Sequence, residues 1–345
     1  MKRCVLYKKL AGDKIQCLAC NHFCKISEGH VGICGVRQNK DGKLNLLVYG
    51  KAIGVGIDPI EKKPFYHFLP GSFAYSLGTF GCNFRCGNCQ NFEISQILGL
   101  KGRVKKYDKI SWGEQLPPEE IVKRAKENNC KSIAYTYNEP TIWAEYALDT
   151  MKLARKSGLK NVWVSNGFMS RETLDLITPY LDAINIDIKS FDEKFYMSNC
   201  AAKLAPVLEN CQRIVKKKIW LEITTLVIPT LSDNEKMLTK LAKFIKDKLG
   251  DFVPWHLSAF SGSISWKLQD VPDTTIKQLT TAYKIGKKQG LKYIYIGNVQ
   301  TKDFENTLCP KCKKIIFQRI GYNIYTPEIS GQCPNCKNKI EGIFQ

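Results

Sequence analysis

Residues 78–91, GTFGCNFRCGNCQN, follow the run FAYSL and carry three cysteines at C-x3-C-x2-C spacing. Thiolates this close on one loop, those of Cys82, Cys86 and Cys89, can bind three irons of a [4Fe–4S] cluster and leave the fourth iron without a protein ligand. The alternative is a zinc knuckle that lacks its fourth ligand. Because the loop follows the first strand of a long strand–helix series, the sequence favours the iron–sulfur cluster.

Residues from about 71 to 300 alternate apolar runs with amphipathic segments. This alternation predicts an α/β core with a parallel sheet and right-handed crossovers, and the pattern alone allows an open sheet or a barrel. In either, ligands bind at the carboxyl ends of the strands. The predicted strands are YSLGTFG, SIAYTY, NVWVSNG, AINIDIK, WLEITTLVIP, PWHLSAF and YIYIGNV. The predicted helices are PPEEIVKRAKENN, TIWAEYALDTMKLARKSG, SRETLDLITPYL, NEKMLTKLAKFIKDKLG and TTIKQLTTAYKIGKKQG.

A cysteine-rich N-terminal region, residues 1–70, precedes this core. Four thiolates saturate a tetrahedral metal, which predicts a structural zinc site, with an auxiliary iron–sulfur cluster as the alternative. His22 and His30 are close enough in sequence to replace a cysteine ligand. The cysteines follow C-x2-C-x3-C-x9-C spacing at Cys17, Cys20, Cys24 and Cys34.

The tail, residues 301–345, carries two C-P-x-C knuckles. So short a segment cannot build its own core, and the spacing is that of a zinc ribbon, with rubredoxin-like iron as the alternative. Such a ribbon can also dock a partner or nucleic acid. The predicted ligands are Cys309, Cys312, Cys333 and Cys336.

The composition is that of a globular chain, with 44% hydrophobic and 24% charged residues. The chain has neither a signal-peptide pattern nor about 18 consecutive apolar residues, so we expect a cytoplasmic protein that does not span a membrane. Reducing compartments keep thiols free, so the 15 cysteines predict metal sites rather than disulfides. The four cysteines outside the clusters are expected to be small buried side chains: Cys4, Cys130, Cys200 and Cys211.

The formal net charge of +20 points to an anionic partner such as nucleic acid. Metal-bound thiolates would lower this charge, and most lysines fall on the polar faces of predicted helices. No interleaving of basic and aromatic residues of the RNA-binding type is present. Nucleic acid is therefore not favoured by charge alone.

These motifs resemble those of the radical S-adenosylmethionine superfamily, and most of all its pyruvate formate-lyase activating enzyme group. Within that group the chain resembles the AmmeMemoRadiSam family. The resemblance implies a partial (β/α)6 barrel over residues 71–300, with S-adenosylmethionine bound to the open iron of the [4Fe–4S] cluster. The matching stretches are DPIEKKPFYHF, GCNFRCGNCQN, TYNEPTIW, VWVSNGF, INIDIKSFD, TTLVIPTLSDNE, PWHLSAF and YIYIGNV.

The resemblance also implies which residues contact S-adenosylmethionine. A carboxylate suits the methionyl ammonium, and two residues that alternate on one strand can both point into the barrel. Two features depart from the family pattern: Asn88 replaces an aromatic or bulky apolar residue, and Tyr137-Asn138 replace two glycines. These departures concern adenine packing and leave the iron ligands unchanged. The implied cofactor-binding residues are Glu139, Ser165, Asn166, Asp187, Lys189 and His256.

The segment DPIEKKPFYHFLPGS, residues 58–72, joins the N-terminal region to the core. It is either a rigid linker packed on the barrel or a contributor to the barrel mouth. In the second case Glu61, Tyr66 and His67 are candidate catalytic residues near the substrate.

The sequence thus predicts a radical enzyme that cleaves S-adenosylmethionine and abstracts hydrogen from a substrate that the residues do not identify. The expected partners are an external one-electron reductant of the flavodoxin or ferredoxin type and Memo-like and AMMECR-like proteins. The alternatives are an activase of a glycyl-radical enzyme, an RNA-modifying enzyme and a non-catalytic scaffold that binds several zinc ions.

Overall fold

The N-terminal region folds into two small antiparallel sheets in the computed structural model, which describes residues 2–97, 113–301, 303–325 and 331–344. One sheet has the strand order β1-β6-β5 and the other β2-β3-β4. Their short strands bury alternate side chains, as expected for sheets with one face on the core. The strands are β1 (Lys2–Arg3), β2 (Tyr7–Lys9), β3 (Ile15–Cys17), β4 (Lys25–Ile26), β5 (Arg37–Lys40) and β6 (Lys43–Leu46).

The central sheet has the order β15-β14-β13-β12-β11-β10-β8-β7-β9. Strand β8 and strands β10 to β15 pair in parallel, and their order in the sheet follows the chain order without reversal, whereas β9 pairs with β7 at the edge. A doubly wound sheet would reverse at a switch point, so this order is that of a barrel wall. The strands are β7 (Lys51–Pro59), β8 (Phe73–Gly78), β9 (Glu114–Gln115), β10 (Ser132–Tyr135), β11 (Lys160–Ser165), β12 (Ala183–Asp187), β13 (Trp220–Val227), β14 (Trp255–Ala259) and β15 (Ile294–Gly297).

Strand β7 pairs antiparallel with β8, so the central sheet includes residues 51–59, which the sequence analysis placed in the N-terminal region. The glycines and exposed positions of this strand give it no continuous apolar run. Its assignment therefore depends on the tertiary pairing.

Helices connect the parallel strands and cover the outside of the sheet. The five predicted helices are present. Three further helices occur among the described residues, at Phe92–Ser95, Glu193–Phe195 and Ala205–Lys216, and in the last of these Val207, Cys211 and Ile214 form a buried stripe at helical spacing. Side chains of Ser170, Asn234 and Thr275 cap the helices that follow them. The helices are α1 (Phe92–Ser95), α2 (Pro118–Glu127), α3 (Ala144–Lys156), α4 (Arg171–Ile177), α5 (Glu193–Phe195), α6 (Ala205–Lys216), α7 (Glu235–Phe244) and α8 (Ile276–Lys288). None of the described helices is both long and apolar enough to cross a membrane.

Aromatic side chains fill the barrel interior near the amino ends of the strands. Phe65 and Phe68 are buried in one cluster with Ala74, Ala134 and Ala183, which belong to β8, β10 and β12. Small residues on the strands leave the volume that the phenylalanines occupy. The segment that precedes β8 therefore plugs this end of the barrel.

The tail packs against the last strands of the sheet. Tyr293 and Tyr295 share a buried cluster with Ile316, Phe317 and Ile340. The strands of the tail are β16 (Thr307–Leu308), β17 (Ile315–Phe317), β18 (Arg319–Ile320) and β19 (Asn323–Ile324), which form two antiparallel pairs.

Candidate functional site

The loop after β8 brings the three cysteines of the C-x3-C-x2-C motif together. Cys82 and Cys86 are buried and Cys89 is half-buried, and each pair of these thiols is close enough to interact electrostatically. The Arg85 guanidinium holds the loop by donating to the carbonyls of Cys82 and Phe84, both at 2.9 Å. The three sulfurs are more widely spaced than ligands of a single ion, since they do not all lie within 4.8 Å of one another. This spacing fits a cluster whose ligands bind different irons.

Glu139 lies beside this loop and is buried. Its carboxylate accepts hydrogen bonds from the Thr141 amide at 3.0 Å, the Ser165 hydroxyl at 2.8 Å and the Asn166 amide at 2.7 Å. The Asn166 side chain donates in turn to Asn83 Oδ1 at 2.8 Å, within the cysteine loop. Burial raises the pKa of Glu139, although these donors oppose the shift. The structure thus brings together three of the predicted cofactor-binding residues.

Asp187 and Lys189 approach the cysteine loop from the end of β12. Ile184, Ile186 and Ile188 are buried on the opposite face, as strand alternation predicts. Lys189 Nζ lies 2.8 Å from Asp187 Oδ2, and its charge interacts with the thiols of Cys86 and Cys89. Burial alone would lower the pKa of Lys189, but Asp187 and the nearby thiols raise this pKa well above its usual value.

His256 lies elsewhere in the barrel, in the wall of a cavity of about 980 Å³ between β14, β15 and the tail. Its Nε2 lies 2.7 Å from Glu222 Oε2 on β13, and its ring stacks on Tyr295 at 5.3 Å between centroids. Arg319 from the tail also lines the cavity, with its guanidinium 4.2 Å from the Tyr66 ring centroid. In the described part of the chain, the hydrogen bond and ring contacts of His256 are with Glu222, Tyr66 and Tyr295, none of which belongs to the cysteine loop.

Glu222 is a functional candidate that the sequence analysis missed. It is fully buried and accepts from the Tyr66 amide at 3.0 Å, the His67 amide at 2.9 Å and Trp220 Nε1 at 3.0 Å, as well as from His256. Burial would raise the pKa of Glu222, but the His256 hydrogen bond and its other donors hold this pKa below the usual value. A carboxylate inside the otherwise apolar strand WLEITTLVIP was the available signal.

The segment with Glu61, Tyr66 and His67 packs inside the barrel and reaches the wall of the cavity. Of the three, Tyr66 lines the cavity. Glu61 is buried and accepts a hydrogen bond from the Gly71 amide at 3.0 Å. The His67 ring stacks on that of Trp220, the first residue of β13. Glu61 and His67 both also contact residues of the cavity wall, since Glu61 Oε1 lies 3.7 Å from Arg319 Nε and His67 Nε2 lies 2.6 Å from the Tyr295 hydroxyl. Phe65 and Phe68 anchor the segment in the small-residue end of the barrel, and a catalytic role for Glu61, Tyr66 and His67 stays a prediction.

His67 gives the fold a specific pH dependence. Its Nδ1 donates to the Glu341 carbonyl at 2.6 Å and its Nε2 lies 2.6 Å from the Tyr295 hydroxyl, from which a neutral ring can accept. Burial lowers the pKa of His67 to about 4, against the opposing charge of Glu222. In the unfolded chain this ring binds a proton near pH 6.5, whereas in the folded protein it stays neutral down to about pH 4. The free energy of unfolding should therefore fall by up to about 3 kcal/mol as the pH decreases from about 6.5 to about 4.

Urea unfolding midpoints of the wild type and of His67→Gln, measured at about pH 7 and about pH 4.5, test this assignment. The variant should start less stable and lose less stability on acidification. Equal acid sensitivity in both proteins would show that His67 is not the titrating group.

Two of the remaining cysteines lie next to the clusters. Cys200 is buried, as expected, but its thiol is close enough to that of Cys86 for the two to interact. Cys4 is buried beside Cys17 and Cys34. Their distance in sequence from either motif concealed this proximity.

Asn88 and Tyr137, which depart from the family pattern, both make specific contacts in the structure. Asn88 accepts from Asn199 Nδ2 at 2.8 Å. Tyr137 adopts φ +69°, in the left-handed region that glycine enters without steric cost. Its hydroxyl donates to Asp58 at 2.8 Å, and Lys63 Nζ lies 4.4 Å from its ring centroid. The backbone therefore keeps a glycine-like conformation here, held by the tyrosine side chain.

The four tail cysteines converge on one point. Their sulfurs all lie within 4.8 Å of one another, with Cys309 to Cys336 and Cys312 to Cys333 both at 3.6 Å. A zinc–sulfur bond of about 2.3 Å places tetrahedral ligands about 3.8 Å apart. The arrangement fits a single tetrahedral ion.

Comparison with known proteins agrees with this geometry. A family model described as the radical SAM superfamily matches residues 76–242. An uncharacterized protein of Methanocaldococcus jannaschii is 41% identical over 98% of this chain and 97% of its own length. The pyruvate formate-lyase-activating enzyme of Clostridium pasteurianum is 22% identical over 55% of this chain and 80% of its own length. A radical SAM methyltransferase from Sphaerobacter thermophilus shares the fold, with a TM-score of 0.50 and 12% identity over 67% of both chains.

A barrel wall with three cysteines after its first parallel strand agrees with the match to this enzyme superfamily. The chain belongs to the radical S-adenosylmethionine superfamily and has activating-enzyme homologues. Membership implies a [4Fe–4S] cluster and S-adenosylmethionine as cofactors.

Proposed function

We propose that this protein cleaves S-adenosylmethionine reductively and uses the resulting radical to abstract hydrogen from a substrate. The observation that carries the proposal is the convergence of Glu139 and the Asp187–Lys189 pair on the loop of Cys82, Cys86 and Cys89. The cluster, when bound, supplies one electron to the sulfonium of S-adenosylmethionine and so releases a 5′-deoxyadenosyl radical. Formation of 5′-deoxyadenosine under reducing, anaerobic conditions tests the function.

The chain's own residues bind and orient the amino-acid end of S-adenosylmethionine. That end carries one ammonium and one carboxylate, and the site offers the carboxylate of Glu139 and the ammonium of Lys189. Ser165 and Asn166 fix the Glu139 carboxylate through hydrogen bonds at 2.8 and 2.7 Å. Charge-assisted hydrogen bonds to a zwitterion offset the cost of burying these charges.

The substrate is proposed to enter the cavity that His256, Tyr66, Tyr295 and Arg319 line. Its volume of about 980 Å³ is at the upper end of those of small-molecule sites. His256 is fixed there by Glu222, so its orientation is set before any ligand binds.

The proposed partners follow from the redox chemistry and from the relatives. A one-electron reductant of the flavodoxin or ferredoxin type must supply the electron. Memo-like and AMMECR-like proteins stay predictions from the resemblance. A second candidate function, activation of a glycyl-radical enzyme, is supported by the relatives that are named activating enzymes.

The tail is proposed to hold a structural zinc ion. The 3.6 Å sulfur separations support this proposal, and zinc would supply the folding energy that so short a segment lacks. Because Arg319 of the tail lines the cavity, the ion would also hold one wall of the proposed substrate site.

Lys189→Met and Asp187→Asn should weaken binding of S-adenosylmethionine by about 1.5–3 kcal/mol, or about 10- to 150-fold, the scale of a hydrogen bond to a charged group. Iron content should not change, because neither side chain ligates iron. Isothermal titration of the reconstituted proteins measures the effect.

Lys194→Met is the matched control, since Lys194 is exposed on the same segment and its loss should leave affinity unchanged. Wild-type affinity in both site variants would identify the pair as a structural ion pair and would move the cofactor site elsewhere.

A further inference from the structure

Four cysteines of the N-terminal region, Cys17, Cys20, Cys24 and Cys34, form a second thiol cluster, here called the N-terminal tetrad. Cys24 is half-buried and the other three are buried. Every pair among the four thiols is close enough to interact electrostatically. The fold therefore collects these cysteines into one site rather than dispersing them through the core.

The spacing of the N-terminal tetrad differs from that of the tail. The sulfurs of the four tail cysteines all lie within 4.8 Å of one another. Among the described residues, no three sulfurs of the N-terminal tetrad lie that close together. The Cys82, Cys86 and Cys89 sulfurs share this wider spacing. In a cubane each cysteine binds a different iron, so its sulfurs stand farther apart than those around one ion.

The N-terminal tetrad also lies directly against the loop of Cys82, Cys86 and Cys89. His22 Nε2 lies 2.8 Å from the Asn83 carbonyl, and Arg85 donates to the Ile33 carbonyl. Gly81 has φ +91°, and a Cβ at this position would lie 2.4 Å from the Cys34 carbonyl oxygen. The two cysteine loops are thus in backbone contact, which only a glycine at position 81 permits.

A buried cation accompanies the N-terminal tetrad. Arg37 is 1% exposed, and its charge interacts with Cys17 and Cys34. Its guanidinium donates to the Ile142 carbonyl at 2.7 Å and pairs with Glu145. Burial raises the pKa of the Cys17 and Cys34 thiols, but Arg37 lowers it and so favours their thiolate forms, although Glu145 offsets part of this effect at Cys17.

We propose that the N-terminal tetrad binds a second [4Fe–4S] cluster, which relays electrons to the cluster on Cys82, Cys86 and Cys89. One electron passes from a reduced flavodoxin or ferredoxin to the second cluster and then to the first, and the second cluster returns to its oxidised state. No covalent bond forms or breaks in this relay. Four cysteines occupy all four irons and leave no open iron for a substrate. The relay, though not the metal identity, rests on the proposed function.

Metal content of anaerobically purified full-length protein tests the site. The proposal expects about eight irons and one zinc per chain, whereas about four irons and two zincs would overturn it. A Cys82→Ala, Cys86→Ala, Cys89→Ala variant should keep about four irons, and Cys20→Ala, Cys24→Ala should lose about four. Cys211→Ala, a buried cysteine of α6, is the matched control and should keep all the iron.

Electron paramagnetic resonance separates the two clusters. After dithionite reduction, the signal of the variant that lacks Cys82, Cys86 and Cys89 should not respond to S-adenosylmethionine, because the remaining cluster has no open iron. No reducible cluster in that variant would overturn the second site. If the variant contains a reducible cluster but the wild-type protein forms no 5′-deoxyadenosine, the proposed function is wrong and the second cluster is still supported.

The relay is tested by changing the electron donor. In Cys20→Ala, Cys24→Ala, cleavage driven by reduced flavodoxin should fall about tenfold or more, while cleavage driven by dithionite, a small diffusible donor, should stay within about twofold of wild type. Equal losses with both donors would mean that the N-terminal tetrad only supports the fold, and would overturn the relay. If this variant does not fold, the wild-type metal content and the resonance spectra still decide whether the site exists.

Discussion

Replacement of Cys82, Cys86 and Cys89 with alanine should reduce formation of 5′-deoxyadenosine to background. The three thiols are the only protein ligands proposed for the cluster that binds S-adenosylmethionine, so their loss removes both the electron source and the chelation of the amino-acid end. The loop itself should survive, because Arg85 holds it through backbone carbonyls. Chromatographic quantification of 5′-deoxyadenosine after dithionite reduction measures the effect.

Cys130→Ala provides the comparison for this experiment. Cys130 is a buried cysteine that precedes β10 and belongs to none of the three cysteine groups. Its substitution should leave cleavage near the wild-type level. Unchanged 5′-deoxyadenosine formation in the triple variant would refute the proposed function.

Glu222→Ala should lower the free energy of unfolding by about 3–5 kcal/mol. The substitution would leave four buried donors without their acceptor: the amides of Tyr66 and His67, Trp220 Nε1 and His256. The first two belong to the segment that plugs the barrel, so the loss should loosen that segment as well as the His256 ring. Urea unfolding reports the change in stability.

Glu209→Ala is the control, since Glu209 is exposed on α6 and pairs with Arg213 at 3.1 Å. Its loss should cost about 0.5 kcal/mol or less. If Glu222→Ala were as stable as Glu209→Ala, the buried carboxylate would not organise the barrel interior.

The sequence alone predicted the features that are local in the chain. The spacing of Cys82, Cys86 and Cys89 on one loop, the alternation of strands and helices, and the paired knuckles of the tail are all short-range patterns. The alternation of isoleucines with polar residues in INIDIKS likewise fixed which face of β12 points inward. The Glu139, Ser165 and Asn166 contacts required the resemblance to a family, because these residues lie on different strands.

Only the tertiary structure decided where residues distant in sequence meet. Glu222 gains three of its four donors from the plug segment and from β14, and Arg319 reaches the cavity from the tail. Cys200 lies beside Cys86 in the folded chain, although it belongs to none of the cysteine motifs in the sequence. The common reason is that burial of Phe65 and Phe68 against small strand residues, and of the tail against Tyr293 and Tyr295, depends on three-dimensional volume rather than on periodicity.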